Sequence, residues 1–204
     1  MLTDIDYSKK EISIFEGLID LLGKGRNPYT IRVAEIAQAA NIGKGTIYDY
    51  FSSKEEAISK AILYYMDREL KTAYCRLKSK DNFKDRFYEL LLIVKDSFQG
   101  NLSIYNKLIS TGRIKEFYVH LVDIECEMIE LLDNANKIIV DDLIEMGTKE
   151  GLIRINENPY YMSMAVQGAI SAFAYYIGKK DRFKKIEIQE AMDLAYKILL
   201  KTLN

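Results

Sequence analysis

The stretch from Thr30 to Ala57 reads TIRVAEIAQAANIGKGTIYDYFSSKEEA. It holds two short helical segments, Val33 to Ala40 and Lys44 to Phe51, joined by three residues. Helices of about eight residues do not persist alone in water, so each needs a packed face. Val33, Ile36, Ala37 and Ala40 supply that face in the first segment, and Ile47 and Phe51, four apart, supply it in the second. Ile42 fills the turn, and the small Ala37 permits close contact between helices. Two such helices around a tight turn make a helix-turn-helix, whose second helix enters the major groove of DNA.

The outward positions of the second segment are Lys44, Gly45, Thr46, Tyr48 and Asp49. A lysine at a helix start adds charge where the dipole already favours phosphate. Gly45 has no side chain to hold the backbone away from a groove. Thr46 offers a hydroxyl and a methyl to base edges, and Tyr48 a hydroxyl to a phosphate. Asp49 accepts from a cytosine amine or points to solvent. Tyr50 neighbours the inward stripe and reads either as a DNA contact or as packing. Lys54 sits in the first turn of the next helix. Between Lys24 and Lys54 five basic residues (Lys24, Arg26, Arg32, Lys44 and Lys54) face two acidic ones (Glu35 and Asp49), against a whole-chain charge of −1. The near-neutral total gives no general affinity for nucleic acid, so DNA binding rests on this local excess.

Working outward, helical spacing of apolar residues continues almost everywhere and strand-like alternation is scarce. The fold class is therefore all-α. Ile12, Phe15, Ile19 and Leu22 mark one face of a first helix, stopped at Gly23-Lys24-Gly25. Ser53 and Glu56 fit a capping box that opens a long helix to about Leu77. Phe83 to Phe98 predicts another helix and Leu102 to Ser110 a short one. Lys115 to Lys149 reads as a long helical stretch with a possible break at Asp133-Asn134. Pro159 sits near the start of the next helix, which reaches Ile177. A last helix covers about Lys185 to Leu203.

The segment from residue 9 to 62 resembles the N-terminal domain of the tetracycline-repressor (TetR) family of regulators. The resemblance is carried by Ile36-Ala37, Ala40-Asn41-Ile42, Lys44-Gly45-Thr46-Ile47-Tyr48, Tyr50-Phe51 and Lys54-Glu55. It implies an all-helical homodimer that acts as a regulator, in the usual case a repressor, on a palindromic operator. It implies a helix-turn-helix DNA-binding domain over 1–53, a connecting helix over 54–78, and a ligand-binding and dimerisation domain over 79–204. Arg32, Lys44, Gly45, Thr46, Tyr48, Tyr50 and Lys54 would then touch DNA, and an unknown small-molecule effector would release it. Three positions depart from the family pattern. Asn41 replaces the usual turn glycine, though asparagine tolerates a left-handed backbone. Gly43 replaces a capping serine. Arg32 stands where a capping threonine is common and cannot accept an amide hydrogen bond.

In the second half Ala165, Gly168, Ala169 and Ala172 form a small-residue stripe, followed by Phe173 and Tyr176. Ile188, Ala191, Ala195, Ile198 and Thr202 form a face on the last helix. These faces read either as an internal core or as a four-helix interface with a second copy, with Ala165, Ala169, Ala172, Tyr176, Ala191, Ala195 and Ile198 as its candidates. The chain holds 15 tyrosines, most of them after residue 60, and aromatic walls with a few hydroxyls suit an apolar ligand. Tyr88, Phe98, Tyr105, His120 and Gln167 are the candidate effector contacts, each with core or surface packing as its alternative.

The same residues argue against other classes. One histidine and two distant cysteines (Cys75 and Cys126) give no metal site and no disulfide framework. No catalytic triad and no glycine-rich phosphate loop is readable, so neither an enzyme nor a cofactor is expected. A helical adaptor that binds only proteins is disfavoured by the basic recognition helix. No apolar run approaches the ~18 residues of a membrane span, and the first ten residues carry four charges, which places the protein in the cytoplasm.

Overall fold

The computed structural model describes residues 6–28, 30–99, 114–154 and 158–204, with the side chains of 99 and 114–125 outside that description. The described residues form α1 (Lys9–Gly23), α2 (Val33–Ala39), α3 (Lys44–Tyr50), α4 (Lys54–Lys78), α5 (Phe83–Gln99), α6 (Ile114–Lys149), α7 (Pro159–Gly178), a 3-10 turn (Lys180–Arg182) and α8 (Ile188–Thr202). The short helix expected at 102–110 lies outside the described residues. The chain divides into two compact units, Met1–Lys71 with Ile104–Asp133, and Thr72–Ser103 with Asn134–Asn204.

In the first unit, α1 opens on a reciprocal capping box. The Glu11 N–H donates to Ser8 Oγ at 3.3 Å, and the Ser8 N–H donates to the Glu11 carboxylate at 2.8 Å. Gly25 ends it at φ +80°, where the Arg26 N–H reaches back to the Leu21 carbonyl at 3.1 Å. The buried face of α1 is Ile14, Phe15, Leu18 and Leu22, whereas Ile12 and Ile19 are only half-buried. The expected face is thus rotated, because α1 is clasped on two sides. Ile36 and Ala37 of α2 and Ile47 of α3 share a core with Phe51 and with Ala57, Ile58 and Ala61 of α4. Tyr7 stands edge-on to Phe15 (5.0 Å) and to Tyr64 of α4 (5.7 Å), extending that core. Gly17 lets α2 approach: a Cβ there would lie 2.8 Å from the Ala40 nitrogen.

In the second unit α5, α7 and α8 pack around Phe83, Phe87, Leu91, Leu143, Val166, Phe173 and Leu199. Pro159 takes the first position of α7, and Asn158 caps the helix by accepting from the Tyr160 N–H at 3.0 Å. Gly151, at φ +71°, stops α6. The break allowed for at Asp133-Asn134 is absent, and α6 runs through both residues. Both are exposed while Leu131 and Ala135 beside them are buried, so packing outweighs their weak helix propensity, which costs under about 1 kcal/mol per residue. The unit also holds an ionic cluster that periodicity does not reveal. Arg86, 6% exposed, donates to Asp142 at 2.5 Å and to the Lys80 carbonyl at 2.7 Å, and Lys78 pairs with the same Asp142. Arg76 donates to Glu89 at 2.8 Å and to Asp96 at 3.1 Å.

Candidate nucleic-acid interface

The candidate surface is built from the inside. Ile47 is fully buried and Phe51 nearly so, a burial that stabilises each by about 2–3 kcal/mol and fixes the rotation of α3. With Ile47 inward, Lys44, Gly45, Tyr48, Asp49 and Tyr50 are exposed and Thr46 is half-exposed. Tyr48 is 53% exposed. Tyr50 is 36% exposed, with its ring 6.5 Å from that of Phe51, so it flanks the core without entering it.

The turn before α3 is tight. Asn41 takes φ +52°, the left-handed conformation that asparagine tolerates in place of glycine. Gly43 caps through its backbone alone, accepting the Thr46 N–H at 3.0 Å. At the start of α2 the exposed Arg32 makes no side-chain cap. Glu35 compensates, its carboxylate accepting the Arg32 N–H at 2.9 Å and pairing with the Arg26 guanidinium through its other oxygen. One acid thereby joins the Arg26 guanidinium to the Arg32 backbone, a link that composition alone does not reveal.

At the start of α4, Ser53 Oγ accepts the Glu56 N–H at 3.0 Å as the capping box requires. The return half differs from expectation: Glu56 reaches one residue further, to the Ser52 N–H at 2.7 Å and the Ser52 hydroxyl at 2.6 Å. Those bonds and the nearby Lys60 hold the Glu56 carboxyl at about 2. Lys54 keeps 19% of its side chain exposed, with its ammonium 3.5 Å from Glu55. Arg32, Val33, Tyr48, Ser53 and Lys54 line one open cleft of about 580 Å³. The starts of α2 and α4 and the flank of α3 therefore share one surface, which suits a curved polyanion.

The other sequence candidates are dispersed. Tyr88 donates to Asp193 at 2.5 Å, and Lys84 lies over the Tyr88 and Tyr196 rings, so its hydroxyl is spent on the seam between α5 and α8. Burial and Asp193 push that phenol upward. Phe98 is 44% exposed at the end of α5. Gln167 is exposed on α7 and donates to Ser163 at 3.2 Å. Tyr105 and the His120 side chain lie outside the described residues.

Of the interface candidates, Ala165, Ala169, Tyr176, Ala191 and Ala195 are buried inside the unit, and only Ala172 and Ile198 are exposed. The small residues bring α7 and α8 of one chain together. The exposed stripe is the opposite one: Tyr160, Tyr161, Met164, Gln167, Gly168, Ser171 and Tyr175 on α7, beside Leu194 and Ile198 on α8. Its signal in the sequence was Met164 and Tyr175, eleven apart and flanking Gly168 at helical spacing.

Fold and surface together define an all-helical protein that carries a helix-turn-helix at its N-terminal end. Residues 26–61 match the family described as bacterial regulatory proteins, tetR family. The match spans α2, α3 and the start of α4, the segment that carries the helix-turn-helix. The same whole-chain fold appears in the fatty acid degradation regulator FadR from Bacillus halodurans (16% identity, 98% of this chain and 97% of that one, TM-score 0.60). It appears also in FadR from Bacillus subtilis in complex with stearoyl-CoA (16%, 95% and 97%, 0.56). A regulator of the TetR/AcrR family from Thermobifida fusca is similar too (18%, 95% and 97%, 0.62). No curated protein matches the chain. Among the described residues no helix is long and apolar enough to cross a membrane.

Proposed function

We propose that the chain is a cytoplasmic, ligand-responsive repressor that binds a palindromic operator as a homodimer. The observation that carries this reading is the orientation of α3. Its buried Ile47 leaves Lys44, Gly45, Thr46 and Tyr48 projecting together beside the cleft at the starts of α2 and α4. In this reading Thr46 and Gly45 face bases, while Arg32, Lys44, Tyr48, Tyr50 and Lys54 face phosphates. Residues 1–53 read DNA, 54–78 connect, and 79–204 bind the effector and dimerise. The effector shifts operator affinity only if it prefers one arrangement of the two reading heads. Because one similar fold holds stearoyl-CoA, long-chain acyl thioesters are the first effectors to test.

Dimerisation is assigned to the exposed stripe of α7 and α8. Gly168 supports it. A glycine inside a helix costs about 1 kcal/mol relative to alanine, and a Cβ at Gly168 meets nothing within 4 Å in the single chain. Its place amid exposed Met164, Tyr175, Leu194 and Ile198 fits a close approach by a second copy.

Sequencing genomic DNA recovered with the protein tests the reading, and an imperfect palindrome with half-sites about 34–36 Å apart or a multiple of that is expected. On that operator Lys44→Ala weakens binding to all sequences alike. Thr46→Ala changes preference at one or two base pairs, by about 1–3 kcal/mol each. A Thr46→Ala variant that matches the parent across a randomised operator library removes the base-reading role.

A further inference from the structure

The loop between α7 and α8 reads Lys179-Lys180-Asp181-Arg182-Phe183-Lys184-Lys185, five cations and one acid in seven residues. All five cations are exposed. None of them forms an ion pair among the described residues, whereas Arg76, Lys78, Lys80 and Arg86 of the same unit are each paired. The backbone beneath them is pinned. The Arg182 N–H donates to the Lys179 carbonyl at 2.8 Å, and the Ile186 N–H to the Phe183 carbonyl at 2.9 Å. Phe183 packs edge-on to Tyr175 (6.0 Å) and tilted against Tyr176 (6.1 Å), and the Tyr176 hydroxyl donates to the Ile186 carbonyl at 2.8 Å.

Helix dipoles account for part of this charge only. Lys179 and Lys180 follow the α7 C-terminus, where cations are favoured by about 0.3–1 kcal/mol. Lys184 and Lys185 precede the α8 N-terminus, where the same effect opposes them. The segment therefore keeps two cations against the local field, with no ion pair among the described residues. Lysine-rich runs of this length, projecting from a fixed backbone, suit closely spaced phosphates bound as point charges without base reading.

We infer that Lys179, Lys180, Arg182, Lys184 and Lys185 form a second, sequence-independent surface for nucleic-acid phosphates, separate from α3. Phe183 is turned inward, so the loop offers no ring for insertion into lipid, and a duplex fits it better than a membrane.

The test uses the full chain carrying Lys44→Ala and Tyr48→Phe, which weaken α3, and a labelled duplex of scrambled sequence. Anisotropy is read between 50 and 200 mM salt. Adding Lys180→Glu, Lys184→Glu and Lys185→Glu should lower affinity at least about tenfold at 50 mM. It should also reduce the log–log salt slope by about 2.7, since each of three neutralised phosphates contributes about 0.9. Helicity and the dimer mass should stay unchanged. The neutral pair Lys184→Gln with Lys185→Gln should give an intermediate loss, and it serves alone if the reversal misfolds. Unchanged affinity and slope overturn the inference. So does a loss that follows dissociation of the dimer, or tighter capture by phosphatidylglycerol vesicles than by duplex. If no operator is found while duplex binding still depends on this loop, the repressor reading fails and this surface stands.

Discussion

Glu56 shows how much of the candidate DNA surface rests on one side chain. Its carboxylate accepts from the Ser52 N–H and hydroxyl and faces the Lys60 ammonium at 3.0 Å. The Ser52 hydroxyl is the largest of the causes that lower its pKa from 4.5 to about 2. A carboxyl held low in the folded state stabilises above its unfolded pKa, and that contribution fades as pH falls from about 4.5 toward 2. Glu56→Gln should therefore cost about 1–2 kcal/mol at pH 7 in urea unfolding, with a smaller difference at pH 3. An equal difference at both pH values removes the charge from the explanation. This residue also marks what sequence discloses at its own scale. The serine–glutamate spacing announced the cap, but the choice of Ser52 over Ser53 as donor depends on side-chain reach. Glu35 is similar, because a carboxylate bonded to Arg32 and Arg26 at once requires the α1–α2 loop to be folded first.

At the scale of elements, periodicity located the described helices and which residues of α2 and α3 face inward, since their buried residues all join one core. It was less informative where an element has neighbours on several sides. The α1 face turned toward Ile14 and Leu18, and most of the alanines of α7 and α8 proved to join those two helices within one chain. Gly17 is the sharpest instance. Its Cβ would lie 2.8 Å from the Ala40 nitrogen and 3.0 Å from the Ala39 carbonyl carbon, backbone atoms that yield only if α2 shifts. Gly17→Ala should destabilise by about 1–3 kcal/mol and weaken operator binding more than its loss of melting temperature explains. Parental affinity in that variant shows that α2 is free to give. In the second unit Asp142 neutralises a buried arginine. Asp142→Ala should cost about 3 kcal/mol in urea unfolding by leaving Arg86 uncompensated. Arg86→Met combined with Asp142→Leu should recover most of that loss. If the double variant is no better than Asp142→Ala, the pair is more than a matched burial.

For the whole molecule, the proposed function depends on two copies acting together. In that proposal each head reads bases through Gly45 and Thr46 alone, so useful affinity requires both half-sites of an operator to be held at once. Linking two such contacts multiplies affinity by roughly 10²–10⁴. The exposed stripe on α7 and α8, proposed above as the dimer interface, is then the place to break that link without touching the proposed DNA contacts. Gly168 has open space around its Cβ position, so Gly168→Arg should leave the fold of a single chain intact and even gain helix propensity. Light scattering should then report a monomer at micromolar concentration. Anisotropy should show at least about a hundredfold loss on the full palindrome and little change on an isolated half-site. Gly168→Ala separates crowding from charge: it should raise the stability of α7 in a monomer, and lower dimer affinity only where a second backbone comes close. A Gly168→Arg protein that remains dimeric and binds the palindrome like the parent moves the interface elsewhere on the chain.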